Sequence, residues 1–188
     1  MKMTRKISVF GSSYPQSGTC TYELAYTLGK LLGGAGLDVI TGGYMGTMAA
    51  ASQGAKEAGG HVIGATCQEI EAWRPVAPNQ WVDEEWRCET LLKRLDKMIN
   101  NCDAAIALPG GVGTLLEICT TWNLLGINVL NPKPVILIGE DWHTVMRQLF
   151  VSLGDYIPMR NREFLAFAPN PEAAFELLGH FLKLSNSN

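Results

Sequence analysis

Apolar residues recur along this chain in two alternating rhythms. Short continuous runs give way to longer stretches in which apolar positions return every three or four residues. "KISVFGSS", residues 6–13, reads as a strand ending in a Gly-Ser turn. Residues 17–34 read as a helix with Leu24, Leu28, Leu31 and Leu32 on one face. "LDVITGG" (37–43) is a second strand, the alanine-rich 46–58 a second helix, and "HVIGA" (61–65) a third strand. Helical spacing returns from Thr90 with Leu91, Leu92, Leu95, Met98 and Ile99. Then come a strand "AAIALP" (104–109), a helix over about 113–126, a strand "PVILIG" (134–139) and a helix over about 142–153. A last helix covers roughly 171–184, with short strands near 85–88 and 164–167 and a frayed tail at 184–188. Residues 66–82 hold two prolines and two tryptophans with no clean period, and read as an irregular excursion. Strand–helix alternation of this kind predicts an α/β fold: a three-layer, Rossmann-like, doubly wound sheet, mostly parallel, with helices on both faces. No repeat or linker divides the chain, so residues 1–188 form one expected nucleotide-binding domain.

Composition narrows the function more than the fold. The 188 residues are 47% apolar and 18% charged, an ordinary globular balance. The net charge of −3 weighs against nucleic-acid binding, which needs concentrated basic surface, but leaves room for a small anion in a local pocket. Five cysteines (Cys20, Cys67, Cys88, Cys102, Cys119), odd in number and never in a C-x-x-C pair, read as free thiols in a reducing cytoplasm. His61, His143 and His180 lack metal-ligand spacing, so no metal is expected. No run approaches the ~20 apolar residues of a membrane span.

Candidate chemistry gathers in three turns. Gly11-Ser12-Ser13, Gly42-Gly43 with Gly46, and Gly110-Gly111 with Gly113-Thr114 each follow a predicted strand, so all three lie on the carboxyl edge of the sheet, where such folds bind ligands. A lone Gly-Gly is usually a plain connection; three on one edge favour close approach to a ligand. A helix starting near Gly113 would offer unpaired N–H groups and a positive dipole end to a phosphate, with Thr114 adding a hydroxyl. No dinucleotide fingerprint and no ATPase phosphate loop is present. Glu117 is expected in the first turn of that helix, either as a surface acid offsetting the dipole or as a carboxylate reaching the sugar of a nucleotide. Arg94, among Lys93, Asp96 and Lys97, reads from spacing alone as a solvated charge. Trp73, Trp81 and Trp86 are open between base pocket and core, core being the simpler placement.

The nine residues "PGGVGTLLE", 109–117, match the P-G-G-x-G-T-x-x-E signature of the LOG (LONELY GUY) family, and the chain resembles its cytokinin riboside 5′-monophosphate phosphoribohydrolases. "FGSS" is similar to the family's first turn. "TGGYMGTM" (41–48) is similar to its G-G-G-x-x-G-L-M with Thr41 and Thr47 substituted, and "LLKRLDKM" (91–98) to its M-x-x-R-K-x-x-M with Leu91 and Leu95 substituted. The resemblance implies a catalytic pair at Arg94 and Glu117. It places phosphate contacts at Gly110, Gly111, Gly113 and Thr114, with Ser12 and Gly43 as helpers. It implies hydrolysis of AMP or an N6-modified AMP to free base and ribose 5-phosphate, no cofactor, and a homodimer or larger homo-oligomer with the Arg94 helix near the interface. An alternative within the same fold is a non-catalytic carrier of a nucleotide or of molybdenum cofactor. A third, weaker reading gives the oily helices from Leu91 and Leu115 chiefly to self-association. An older "lysine decarboxylase" label in the family has no support in these residues: no lysine lies in the three turns to hold pyridoxal phosphate.

Overall fold

The computed structural model describes residues 4–183; the expected frayed tail, 184–188, lies outside them. The elements run β1 (Lys6–Phe10), α1 (Cys20–Gly34), β2 (Asp38–Thr41), α2 (Thr47–Glu57), β3 (Val62–Cys67), α3 (Gln68–Trp73), β4 (Glu84–Cys88) and α4 (Leu91–Asn100). They continue with β5 (Ala104–Ala107), α5 (Val112–Gly126), β6 (Val135–Ile138), α6 (Glu140–Leu153), α7 (Met159–Arg162), β7 (Leu165–Ala168) and α8 (Pro171–Leu182). One seven-stranded sheet has the order β4-β3-β2-β1-β5-β6-β7. Every pairing among the described residues is parallel, so the sheet is more uniform than expected.

Two cores explain the three layers. On one face Leu28 and Leu32 of α1, Ala50, Ala51 and Ala55 of α2, and Ala174 and Leu178 of α8 pack on Ile7, Val9, Val39, Ile106 and Ile136. On the other face Leu95, Met98 and Ile99 of α4, Ile118 and Leu125 of α5, and Trp142 and Met146 of α6 pack on Phe10, Ile40, Ile63, Ala105 and Leu137. Side chains alternate across each strand, so one five-residue strand feeds both cores. Parallel strands buried on both faces also account for their continuous apolar sequence.

The boundaries differ from the sequence reading where capping chemistry intervenes. α1 starts at Cys20, not 17, because Thr19 is extended and its side chain accepts from the Tyr22 N–H. α6 starts at Glu140, two residues early, with Glu140 and Asp141 in its first turn where acids suit the dipole. The excursion 66–82 opens with the end of β3 and the six-residue α3 before it becomes irregular. α5 starts at Val112, so Glu117 is its sixth residue and lies in the second turn, not the first.

The strand order reverses between β1 and β5. The turns after these strands therefore flank the crevice where open parallel sheets take ligands. The end of β5 is firmly held: Leu108 donates its N–H to the Phe10 carbonyl at 2.9 Å, and its own carbonyl accepts from Trp142 Nε1 at 2.9 Å.

Candidate active site at the carboxyl edge of the sheet

Turn one is tied down by its neighbour. The Ser12 carbonyl accepts from both the N–H and the hydroxyl of Thr47, at 2.9 and 3.1 Å, which joins it to the start of α2. Ser12 Oγ accepts from the Tyr14 N–H at 3.2 Å. A methyl group at Gly11 would fall 2.2 Å from Thr47 Oγ1, so a side chain there would have to push that hydroxyl off the Ser12 carbonyl.

Turn three is open. Gly110, Gly111 and Gly113 are exposed, and nothing lies within 4 Å of where side chains at Gly111 or Gly113 would start. No side chain caps α5, so its first N–H groups have no intrahelical partner. Gly110 lets Thr114 fold back against it: a Cβ there would sit 2.2 Å from Thr114 Oγ1. Thr114 is buried, and its hydroxyl has no hydrogen-bond partner among the described residues. An unpartnered buried hydroxyl costs about 1–3 kcal/mol. This one lies in the first turn of α5, beside the uncapped helix end.

One turn further along α5, Glu117 is buried rather than a surface acid, and its partner Arg94, only 6% exposed, is enclosed rather than solvated. Arg94 Nη1 stands 3.8 Å from Glu117 Oε1. The guanidinium is held elsewhere: Nε donates to the Ala65 carbonyl at 2.6 Å, within β3. That bond fixes the plane of the group and turns an N–H edge toward α5. No hydrogen bond from a described residue reaches the Glu117 carboxylate, so its oxygens are free for a substrate hydroxyl or a water. Burial pushes this carboxyl up to about 7, against the pull of Arg94. A group poised near neutral pH is suited to proton transfer and to facing a developing cation.

Gly43 is placed differently from the other expected phosphate contacts. Its N–H donates to Thr41 Oγ1 at 3.1 Å and its carbonyl accepts from the Asn79 N–H at 2.7 Å. At φ +79° it packs on Gly64 and Thr66, so what it brings to the site is backbone shape. Leu95, which replaces a lysine of the family pattern, points into the α4–sheet core with Met98 and Ile99. That departure alters packing and leaves the Arg94–Glu117 pair untouched. The tryptophans split: Trp86 is core, Trp81 is half-buried, and Trp73 is exposed beneath the Arg74 guanidinium. Sequence reasoning named Gly42 only as part of a ligand turn and missed Tyr44, Ala65 and Asn79, which shape the surroundings of Arg94 through the Ala65 carbonyl, the Tyr44 hydroxyl and the Asn79 amide. Among the described residues no three acidic, histidine or cysteine side chains group as a metal site, and no helix is long and apolar enough to cross a membrane.

Comparison with known proteins gives two sets of relatives. The sequence profile of the SLOG cluster4 family matches residues 4–161. The chain is 30% identical over 185 residues to cytokinin riboside 5′-monophosphate phosphoribohydrolase LOG2 of Arabidopsis thaliana, covering 95% of this chain and 84% of that one. It is 31% identical over 140 residues to the cytokinin riboside 5′-monophosphate phosphoribohydrolase of Rhodococcoides fascians, covering 73% and 69%. Among solved structures it is similar to the molybdenum cofactor binding protein of Rippkaea orientalis, with TM-score 0.75, 28% identity, and 97% and 99% of the two chains covered. The molybdenum cofactor carrier protein of Chlamydomonas reinhardtii shares the fold, with TM-score 0.73 at 22% identity over 96% and 99%.

Proposed function

Since the chain belongs to the SLOG cluster4 family and its relatives include LOG phosphoribohydrolases, we propose that it hydrolyses the N-glycosidic bond of a nucleoside 5′-monophosphate. The substrate class is AMP or an N6-modified AMP. The observation that carries this reading is one stretch of α5. An uncapped helix end and the unpartnered Thr114 hydroxyl lie one turn before a buried Glu117 that faces Arg94.

In this reading the N–H groups of Gly111, Gly113 and Thr114, with the Thr114 hydroxyl, hold the 5′-phosphate on the positive end of α5. Ser12 and Gly43 shape the floor. The ribose then lies over the second turn, beside Glu117. Breaking the C1′–N bond leaves positive charge on the sugar, and an ionised carboxylate there stabilises it. Glu117 also orients the water that adds to C1′ and takes up its proton. The base leaves with the bond's electron pair and takes a proton from solvent, Glu117 returns the water's proton to solvent, and ribose 5-phosphate carries the new hydroxyl. Arg94 keeps Glu117 partly ionised at neutral pH despite its burial. No cofactor takes part in these steps.

Leu92 and Val112 are exposed, at 71% and 85%, on the helices that carry Arg94 and Glu117. That placement supports a homodimer or larger homo-oligomer with these helices near the interface. The chain's charge and cysteine usage support a cytoplasmic enzyme that does not bind nucleic acid.

The deciding experiment incubates the purified protein with AMP and with N6-prenylated AMP and follows free base by chromatography. Free base from either supports hydrolysis; both nucleotides bound but intact would overturn it. A carrier role is the second reading, favoured by the 28%-identical molybdenum cofactor binding protein. A pterin found by mass spectrometry on the purified protein, with no turnover, would establish that reading instead.

A further inference from the structure

The second glycine turn is filled by the protein itself. A Cβ at Gly42 would lie 2.1 Å from Arg94 Nη2 and 2.3 Å from Met48 Sδ, so the guanidinium rests directly on the Gly42 backbone. The next two residues are gripped from outside by the irregular segment that follows α3. Asn79 Nδ2 donates to the Gly43 carbonyl at 3.0 Å and to the Tyr44 carbonyl at 2.9 Å. Its backbone N–H donates to the same Gly43 carbonyl. Asn79 is itself preset: Oδ1 accepts from the Trp81 N–H at 3.2 Å and its carbonyl from the Val82 N–H at 3.2 Å. This self-made turn leaves Nδ2 only one direction in which to point. From inside, the Thr41 hydroxyl accepts the Gly43 N–H, and Ser52 Oγ hydrogen-bonds Thr41 Oγ1 at 3.0 Å. Tyr44 completes the frame, accepting the Cys67 N–H at 2.7 Å through its buried hydroxyl.

We infer that Asn79 is a positioning residue for Arg94: its amide clamps the Gly42–Gly43–Tyr44 turn into the slot that holds the guanidinium facing Glu117. Three supports then fix Arg94, namely the Ala65 carbonyl, the Gly42 backbone and the α4 helix itself. Two belong to regular elements, and only the Gly42 support is a loop that needs an external clamp. The irregular segment thus carries one amide to the outer side of the turn on which a buried cation rests, adding to the hold of Thr41 and of the Asn79 backbone. The kinetic part of this inference rests on the hydrolase reading; the structural part does not.

The test compares wild type with Asn79→Ala and Asn79→Asp by AMP turnover and by solvent exchange of the Arg94 Nε–H in 15N-labelled protein. Asn79→Ala keeps the backbone bond to Gly43 and loses only the amide. Its Nε–H exchange is expected to quicken by roughly 10-fold or more, as the slot opens locally. Its kcat is expected to fall about 10-fold with KM changed less than about 3-fold, the signature of lost transition-state alignment. Asn79→Asp keeps the shape but sets an oxygen against two carbonyls, and is expected to behave no better than alanine. Gly42→Ala has ordinary backbone geometry and leaves the clamp intact, yet crowds Nη2. It is expected to show the same exchange change, which checks the Gly42 support itself; if Asn79→Ala does not fold, Asn79→Asp decides the clamp. Unchanged exchange in a folded Asn79→Ala overturns the clamp, and quickened exchange with full kcat overturns its kinetic part. If wild type leaves AMP intact, the hydrolase reading falls, and the exchange measurement still decides the clamp.

Discussion

Two turns with near-identical composition do opposite things on the same edge of this sheet. After β5, Gly111 and Gly113 face open space, and the adjoining helix end and Thr114 hydroxyl lack protein partners among the described residues. After β2, Gly42 is covered by Arg94 and Met48, Gly43 by Gly64 and Thr66, and Gly46 by the backbone of Ser12 and Ser13. One turn lacks side chains and leaves open space on the edge of the sheet. The other removes them to admit the protein's own arginine. Glycine in a turn therefore signals close approach without saying what approaches, and the neighbours decide. The two meet where Arg94, seated on the second turn, looks across at Glu117, which stands one helical turn past the first.

Removing the charge where they meet gives the largest expected effect. Glu117→Gln keeps the side chain's shape and is expected to lower turnover by roughly 1,000-fold, about 4 kcal/mol. Binding of ribose 5-phosphate, measured by calorimetry, should stay nearly intact because the phosphate turn is unaltered. Turnover within a few-fold of wild type would remove Glu117 from the chemistry. Wild-type turnover should climb as pH rises through about 7, as this carboxyl ionises. Stability runs the other way. The buried carboxyl takes up a proton more readily in the folded chain than in the unfolded one, where its value is 4.5. Its burial penalty is thus absent at low pH, grows between about 4.5 and 7, and is fully present above. At about 1.4 kcal/mol per pH unit over this window the penalty is roughly 3–4 kcal/mol. Urea unfolding at pH 8 should therefore find the glutamine variant more stable than wild type, with the gap closing toward pH 5.

The filled turn should break on any added atom. Gly46→Ala places a methyl 2.3 Å from the Ser12 carbonyl oxygen, at φ +71°, where backbone and not a pliable side chain must yield. The expected cost is about 2–3 kcal/mol of folding stability, read as a lower urea midpoint. A neutral result would mean that turns one and two are not locked together as described.

How much of this contrast is legible in the sequence depends on what holds each residue. The strands, the two-faced sheet and the open turn follow from apolar rhythm and helix-end physics, which are local. Glu117 falls in the second turn of α5, as its sixth residue, because α5 starts at Val112, a residue whose β-branch gives no start signal. Its neighbours Leu115, Leu116 and Ile118 hint at burial, but nothing local points to its partner: Arg94 sits among Lys93, Asp96 and Lys97, and only the tertiary fold turns it inward. Asn79 is invisible in the sequence for the same reason. Its three amide acceptors lie on residues 43, 44 and 52, and two of them are backbone carbonyls, which carry no residue identity.

The smallest change tests the open turn most cleanly. Gly113→Ala occupies the second position of α5, with nothing within 4 Å of the new methyl. Alanine is the better helix former, so the protein alone should gain up to about 1 kcal/mol of stability. A phosphate seated on the Val112–Thr114 end would meet that methyl, and affinity for AMP should fall several-fold. The same substitution thus helps the empty fold and hurts the complex, whereas at Gly46 it hurts the fold outright. If Gly113→Ala left AMP affinity unchanged, the ligand would not approach through this turn. The emptiness around Gly111 and Gly113 would then be only a flexible start to a helix.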